Sequence, residues 1–286
     1  MGRLGKHTRE IILKEFPIVE KGETKINKNN SLELKTGKSH IIKILLECMK
    51  HLITDVNIIF FPNSSETQQE KNKISISVSD STETVCIFIE LDTNEFEHYF
   101  CDKKTIVGVN IKDFYKVINS TGKNDILFLY MEKNNYDILF VRTENENNRE
   151  MSISSIRTID RQEECLIIPN VNFDCCVSLS SQKLQKICKN FNNINTLTVE
   201  ICINNSIIKF KTKEGDMVRE ELINTENNSL EGYNYNGSYN LKYLYHFVKA
   251  TPLSNTVSIY VRNDGFLMLK YNVVDVGELR FILTEE

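Results

Sequence analysis

Thr36-Gly37-Lys38-Ser39 is the stretch of this 286-residue chain whose residue types could most directly do chemistry. It precedes an apolar-periodic segment, as the end of a phosphate-binding loop precedes its helix, and would imply nucleotide hydrolysis. That pattern needs another glycine five residues before Gly37, where Leu32 stands, and no acidic residue after an apolar strand is convincingly positioned to hold the metal. The carboxylate pairs Glu163-Glu164 and Glu285-Glu286 read as solvated acids rather than an acid–base couple. Eight cysteines are scattered along the chain, with Cys175-Cys176 adjacent and no Cys-x-x-Cys spacing; the five histidines make no pair at metal-ligand spacing. Small buried thiols in a reducing compartment are the expectation. The chain reads as a protein with no catalytic residue, no metal and no cofactor.

The charge pattern points to another kind of function. Net charge is −4, which alone argues against a nucleic-acid partner, but the sign is segregated. Four segments have helical character: His40–Ile53, Ile111–Asn119, Ser180–Ile194 and the run from Asn240 to Lys249. They carry Lys43, Lys50, Lys112, Lys116, Lys183, Lys186, Lys189, Lys242 and Lys249 against only Glu47 and Asp113, a net +7. A merely solvated helix face would mix glutamates with its lysines, because Glu–Lys pairs one turn apart support exposed helices. Lysine without arginine or interleaved aromatics suits phosphate contact more than base reading. Duplex DNA, held through its backbone without sequence preference, is the expected partner.

The elements that would position these lysines recur. Displaced by 130 residues, Asn110–Val141 overlies Asn240–Tyr271 without a gap, with Asn110/Asn240, Lys112/Lys242, Tyr115/Tyr245, Thr121/Thr251, Tyr130/Tyr260 and Leu139/Leu269 identical. Each copy runs helix, turn, strand, turn, strand, so two like domains are expected. Strands are predicted at 31–35, 57–61, 73–78, 83–91, 106–109, 126–132, 136–142 and 149–156 in the first half. In the second they fall at 174–179, 196–203, 207–212 and 218–225, with an Asn-rich loop at 226–236 and Ser180 as a helix cap. Two helices and many antiparallel strands per half give an α+β fold with helices on one face of a sheet. The division is a polar, mobile arm at 1–30, domains at 31–157 and 175–286, and a connector at 158–174. No apolar run is long enough to span a membrane, and the start resembles no signal peptide.

Tyr243–Val257, YLYHFVKATPLSNTV, resembles the last helix and following turn of the eukaryotic proliferating cell nuclear antigen family of DNA sliding clamps. The similarity extends over residues 31–286 through LLECMKHLI, Asp80-Ser81, Phe96–Ile111, LIIP, LQKICKNFNNI and Lys270–Leu283. It implies a head-to-tail homotrimeric ring whose helices line a central hole, with sheets outside. Such a ring encircles duplex DNA and tethers DNA polymerase and other proteins carrying short clamp-binding peptides. An ATP-dependent clamp loader opens it, in the nucleus or at a viral replication site. Two other outcomes share the fold: a subunit of a heterotrimeric checkpoint clamp, and a viral clamp acting in transcription.

Carried over by position, Lys43, Lys50, Lys116, Lys186, Lys189, Lys242 and Lys249 would face DNA. Ser79, Glu83, Leu166, Ile168, Pro169, Pro252, Ile282 and Thr284 would form the partner-peptide groove. Met151, Ile153 and Ile156 on one edge would meet Val218 and Leu222 on the other edge of the next subunit. The groove departs from the family: Ile282 replaces an aromatic, Glu285 a proline and Ser79 an apolar residue, and Arg161 enters an apolar–acidic connector. Asn204 or Asn205 stands where the family has a modified lysine.

Overall fold

Period-two alternation of apolar and polar residues dominates the chain, and the computed structural model turns it into seventeen strands among the described residues. These are 27–63, 72–122, 124–145, 150–159, 172–204, 206–225 and 233–286. The arm through residue 26, most of the loop at 62–72, and connector positions Arg161, Leu166, Ile168 and Pro169 lie outside them, as does Asn205.

In the first half β1 (Asn30–Thr36) leads into helix α1 (Ser39–Met49). Then come β2 (Asp55–Phe60), β3 (Lys73–Ser79), β4 (Val85–Asp92), β5 (His98–Cys101) and β6 (Thr105–Asn110). Helix α2 (Ile111–Asn119), β7 (Ile126–Glu132), β8 (Asn135–Asn145) and β9 (Glu150–Arg157) complete it. The second half runs β10 (Cys175–Ser180), α3 (Ser181–Asn192), β11 (Thr198–Asn204), β12 (Ile207–Glu214), β13 (Met217–Asn224) and β14 (Asn234–Asn240). It closes with α4 (Leu241–Phe247), a 3-10 extension (Val248–Leu253), β15 (Thr256–Arg262), β16 (Phe266–Val273) and β17 (Gly277–Thr284).

The repeat has a physical basis at its identical positions. Asn110 and Asn240 both cap a helix, their side chains accepting from the backbone N–H groups of Asp113 at 3.2 Å and Lys242 at 3.0 Å. Leu139 and Leu269 are both fully buried in the core. Ser180 differs from expectation: it occupies the cap position of α3, but its side chain makes no capping bond.

Three strands went unpredicted: β5, β14 and β17. β5 is only four residues long, too short for a pattern. β14, NYNGSYN, looks like a loop by composition, yet Tyr235, Gly237 and Tyr239 alternate inward while the asparagines face out. Position 237 is tightly packed: a Cβ there would force the Tyr235 ring to shift.

All three sheets are antiparallel. One holds β5-β1-β7-β8-β9, another β13-β12-β11-β14, and a third of eight strands runs β10-β15-β16-β17-β4-β3-β2-β6. That third sheet draws four strands from each half, joined where β17 pairs with β4 from Gly277↔Leu91 to Leu283↔Val85. The halves thus share a sheet, and their buried residues form one continuous core. Helices follow suit: α1 packs on α2, on α4 and on its 3-10 extension, while α3 packs on α4.

Candidate DNA-facing helices and partner surface

Each helix buries one stripe and leaves its lysines on the other. α1 buries Ile41, Leu45, Leu46, Cys48 and Met49, and α3 buries Leu184, Ile187, Cys188 and Phe191. Lys112, Lys116, Lys183, Lys186, Lys189 and Lys242 are exposed, and Lys43, Lys50 and Lys249 are half-buried. The two acids on these helices are both engaged: Glu47 with Lys50 at 3.8 Å, and Asp113 with Lys116 at 2.8 Å. Lys50 also rests 3.7 Å above the ring of Tyr115, which ties α1 to α2. Lys189 donates to the Gln185 side chain at 3.2 Å. Among the described residues no carboxylate lies within ion-pair reach of Lys43, Lys112, Lys183, Lys186, Lys189, Lys242 or Lys249, so this face keeps uncompensated positive charge.

Two histidines report that charge. His51, just beyond α1, and His246, on α4, stack with ring centroids 5.1 Å apart. Burial, reinforced by Lys249, His51, Lys242 and Lys50, pushes His246 down to about 4. His51 is lowered by burial and by Lys249, Lys50 and Lys112, against a weaker opposing effect of Glu47. Lysines from α1, α2 and α4 therefore converge on one place, and it spans the seam between the halves. The sequence does not signal this pair, because 195 positions separate its members.

The loop at Thr36-Gly37-Lys38-Ser39 is occupied by the protein's own side chains. The Gly37 N–H donates to a Glu97 carboxylate oxygen at 3.0 Å, and Lys38 pairs with Glu95 at 3.6 Å.

On the outer face of the eight-stranded sheet, one row of cross-strand neighbours reads Cys176, Tyr260, Met268, Ile282, Cys86 and Ser79. Phe88, Met268 and Ile282 form a small cluster separate from the main core, with Cys86, Phe173, Tyr260 and Phe266 packed against it. Ser79 and Ile282 thus lie in the same row, flanking Cys86. Thr284 joins them, donating its N–H to the Thr84 carbonyl at 3.1 Å, beside Glu83 in its left-handed turn at φ 57°.

The structure does not bring Pro252 to this end. Its turn meets the opposite end of β17, where the Leu253 carbonyl accepts from Val274 at 3.5 Å. Seven residues of strand separate the two ends, roughly 24 Å at about 3.4 Å per residue. Phe88, Phe266 and Met268 fill the patch instead. For Phe266 and Met268 the signal was the unbroken apolar run Phe266–Leu269, which marks a strand covered on both faces.

The sheet edges also carry their expected residues, with one exception. β9 and β13 each end a sheet. Met151, Ile153, Val218 and Leu222 are exposed there, as is Met217. Ile156 is not: it is buried on the core side of β9, opposite Leu139, so only its backbone faces the edge.

A chain built of two like halves, with unpaired lysines on one helical face and an unpartnered strand at each end, has the design of a DNA sliding clamp. Family models agree: "Proliferating cell nuclear antigen, N-terminal domain" matches residues 31–165 and "Proliferating cell nuclear antigen, C-terminal domain" matches residues 167–286. A relative described as "Probable DNA polymerase sliding clamp 1", from Paramecium bursaria Chlorella virus 1, is 27% identical over 268 residues, 89% of this chain and 97% of that protein. The chain belongs to the proliferating cell nuclear antigen family of DNA sliding clamps.

Proposed function

We propose that three copies of the chain close head to tail around duplex DNA and act as a processivity factor for a replicative polymerase. Lys43, Lys50, Lys116, Lys186, Lys189, Lys242 and Lys249 line the hole and contact phosphates, with Lys112 and Lys183 beside them. Tethered partners are retained by raised local concentration, so the clamp itself needs no chemistry. An ATP-dependent loader opens the ring, and the work is done in a nucleus or at a viral replication site. The cluster of Phe88, Met268 and Ile282, bordered by Ser79, Glu83 and Thr284, receives partner peptides. Connector residues Leu166, Ile168 and Pro169 are the proposed opposite wall.

The observation that carries the ring is the seam inside the chain. β17 is to the second half what β9 is to the first: Leu269 opposes Phe281 as Leu139 opposes Ile156. Likewise β4 corresponds to β13, because Ile58↔Ile76↔Ile89 is matched by Ile201↔Phe210↔Glu221. Within the chain β17 pairs with β4, Phe281 opposite Ile87. The same geometry between copies sets β9 against β13 of the next, with Ile156 opposite Arg219, Ser154 opposite Glu221 and Ile153 opposite Leu222. Three such pairings close the ring and leave neither edge free to aggregate.

Cysteines placed at 153 and 222 test this register. Oxidation should yield covalent trimers on a denaturing gel, and each single substitution should yield none. A monomer by analytical ultracentrifugation, with no cross-linking, would favour a chain that needs different partner subunits.

A further inference from the structure

The stacked pair His51–His246 sits where helices of the two halves meet, amid the DNA-facing lysines. Among the described residues, the charged groups whose fields act on it come from three helices and the 3-10 extension. Glu47 and Lys50 come from α1 and its end, Lys112 from α2, Lys242 from α4 and Lys249 from the 3-10 extension. The ring of Tyr245 meets His246 edge-on at 6.0 Å. Four ammonium groups thus face one carboxylate, and that carboxylate is already shared with Lys50. Nδ1 of His246 is buried and has no hydrogen-bond partner among the described residues, so a second proton would find no internal acceptor there.

We infer that His51 and His246 are conditional cations of the DNA-binding face: uncharged in the free protein, they take up protons when a phosphate backbone lies across them, so that duplex binding is coupled to pH. The inference rests on the proposal that this face contacts DNA. Its physics is a change of sign in the local field. Without DNA, burial disfavours a proton on either ring, and three nearby lysines add to that penalty at each. Bound phosphates neutralise those charges and reverse the potential, so the protonated rings become counter-ions instead of intruders.

Linkage fixes the direction. A group that holds its proton more tightly in the complex makes the complex stronger as pH falls through the interval between its free and bound values. Each pKa unit gained is worth about tenfold in affinity once pH lies below both values. Protonated rings also displace further counter-ions, so the salt dependence of binding steepens on acidification.

The test uses the full-length chain and a fluorescein-labelled 30-base-pair linear duplex of arbitrary sequence, titrated by anisotropy at several salt concentrations from pH 7.5 to pH 5.5. Expected is a Kd ratio between pH 7.5 and 5.5 several-fold larger for the native chain than for the double variant His51→Gln, His246→Phe. Calorimetry of the same titration at pH 6, in two buffers of different ionisation heat, should register proton uptake that falls in the variant. His51→Gln alone, at an exposed position, serves if the double variant does not fold. An unchanged pH ratio and proton count in the variants overturns the inference while leaving the DNA-facing surface intact. If the native chain fails to bind the duplex at any pH, and Lys186→Glu with Lys189→Glu changes nothing, the underlying DNA-facing assignment falls with it.

Discussion

His246 shows how one residue reads out its surroundings. Its pKa is held near 4 by burial and neighbouring lysines, below the ~6.5 of an unfolded histidine. Between these values the unfolded chain binds more protons than the folded one, so stability must fall as pH drops from about 6.5 towards 4. Replacing His246 with Phe keeps an aromatic surface against His51 and removes the titrating group. The Tm of this variant should decline less steeply over that interval in thermal melts followed by circular dichroism; parallel curves would contradict the assignment. The caps act at the same scale. Asn110→Ala and Asn240→Ala should each cost about 1 kcal/mol in chemical denaturation, since each leaves a helix N–H without its acceptor. The lysines were legible in the sequence because they follow from spacing within a single element, whereas the one cap read there, Ser180, makes no capping bond and the two asparagine caps stood out only as repeated positions. The histidine pair and the Phe88–Met268–Ile282 cluster were not legible, because their members come from strands and helices far apart in the chain.

At the scale of elements, the β17–β4 pair decides whether the halves hold together. Its outer face carries a charge ladder: Lys73 to Glu90 at 3.2 Å, Glu90 to Arg280 at 3.7 Å, Arg280 to Glu278, and Glu278 to Lys270 at 2.5 Å. Each rung is partly exposed and contributes little alone, but the series crosses four strands and both halves. The start of β17 is more sensitive. Gly277 has φ 153°, and a Cβ there would lie 2.0 Å from the Glu90 carbonyl oxygen. Gly277→Ala must push the two strands apart and should destabilise the protein by at least about 2 kcal/mol in urea titration. A neutral result would mean that β17 can shift without loss. Strand positions were largely readable from alternation. The identity of β17's partner was not, because antiparallel edges are chemically alike and the pairing joins residues nearly 200 positions apart.

For the whole molecule, the proposed ring depends on contacts that a single chain cannot satisfy. Ile153 is 37% exposed and Leu222 61%, and the proposed register places them opposite each other across the interface. Ile153→Lys alone should leave an unpaired charge at that position and convert trimers to monomers in analytical ultracentrifugation. Adding Leu222→Glu should restore part of the assembly, since opposite charges facing across a strand pair attract by about 0.2–1 kcal/mol. Failure of the second change to rescue the first would point to another register. Lys186→Glu with Lys189→Glu should leave the oligomer intact and weaken duplex binding most at low salt, where screening is least.

The sequence by itself determined the two-fold repetition, the α+β composition, the segregation of lysine onto helices and the membership of a clamp family. Each is written in local spacing or in residues recognisable one at a time. Only the tertiary structure decided that the halves share one eight-stranded sheet, that Ile156 turns inward while Ile153 turns out, and that Pro252 lies at the far end of β17 from Ile282. It also brought together the lysines and the histidine pair of the helical face. Those outcomes depend on which strand edges meet and which helix faces pack. Burial selects them from many locally equivalent arrangements, and that selection is a property of the folded chain as a whole.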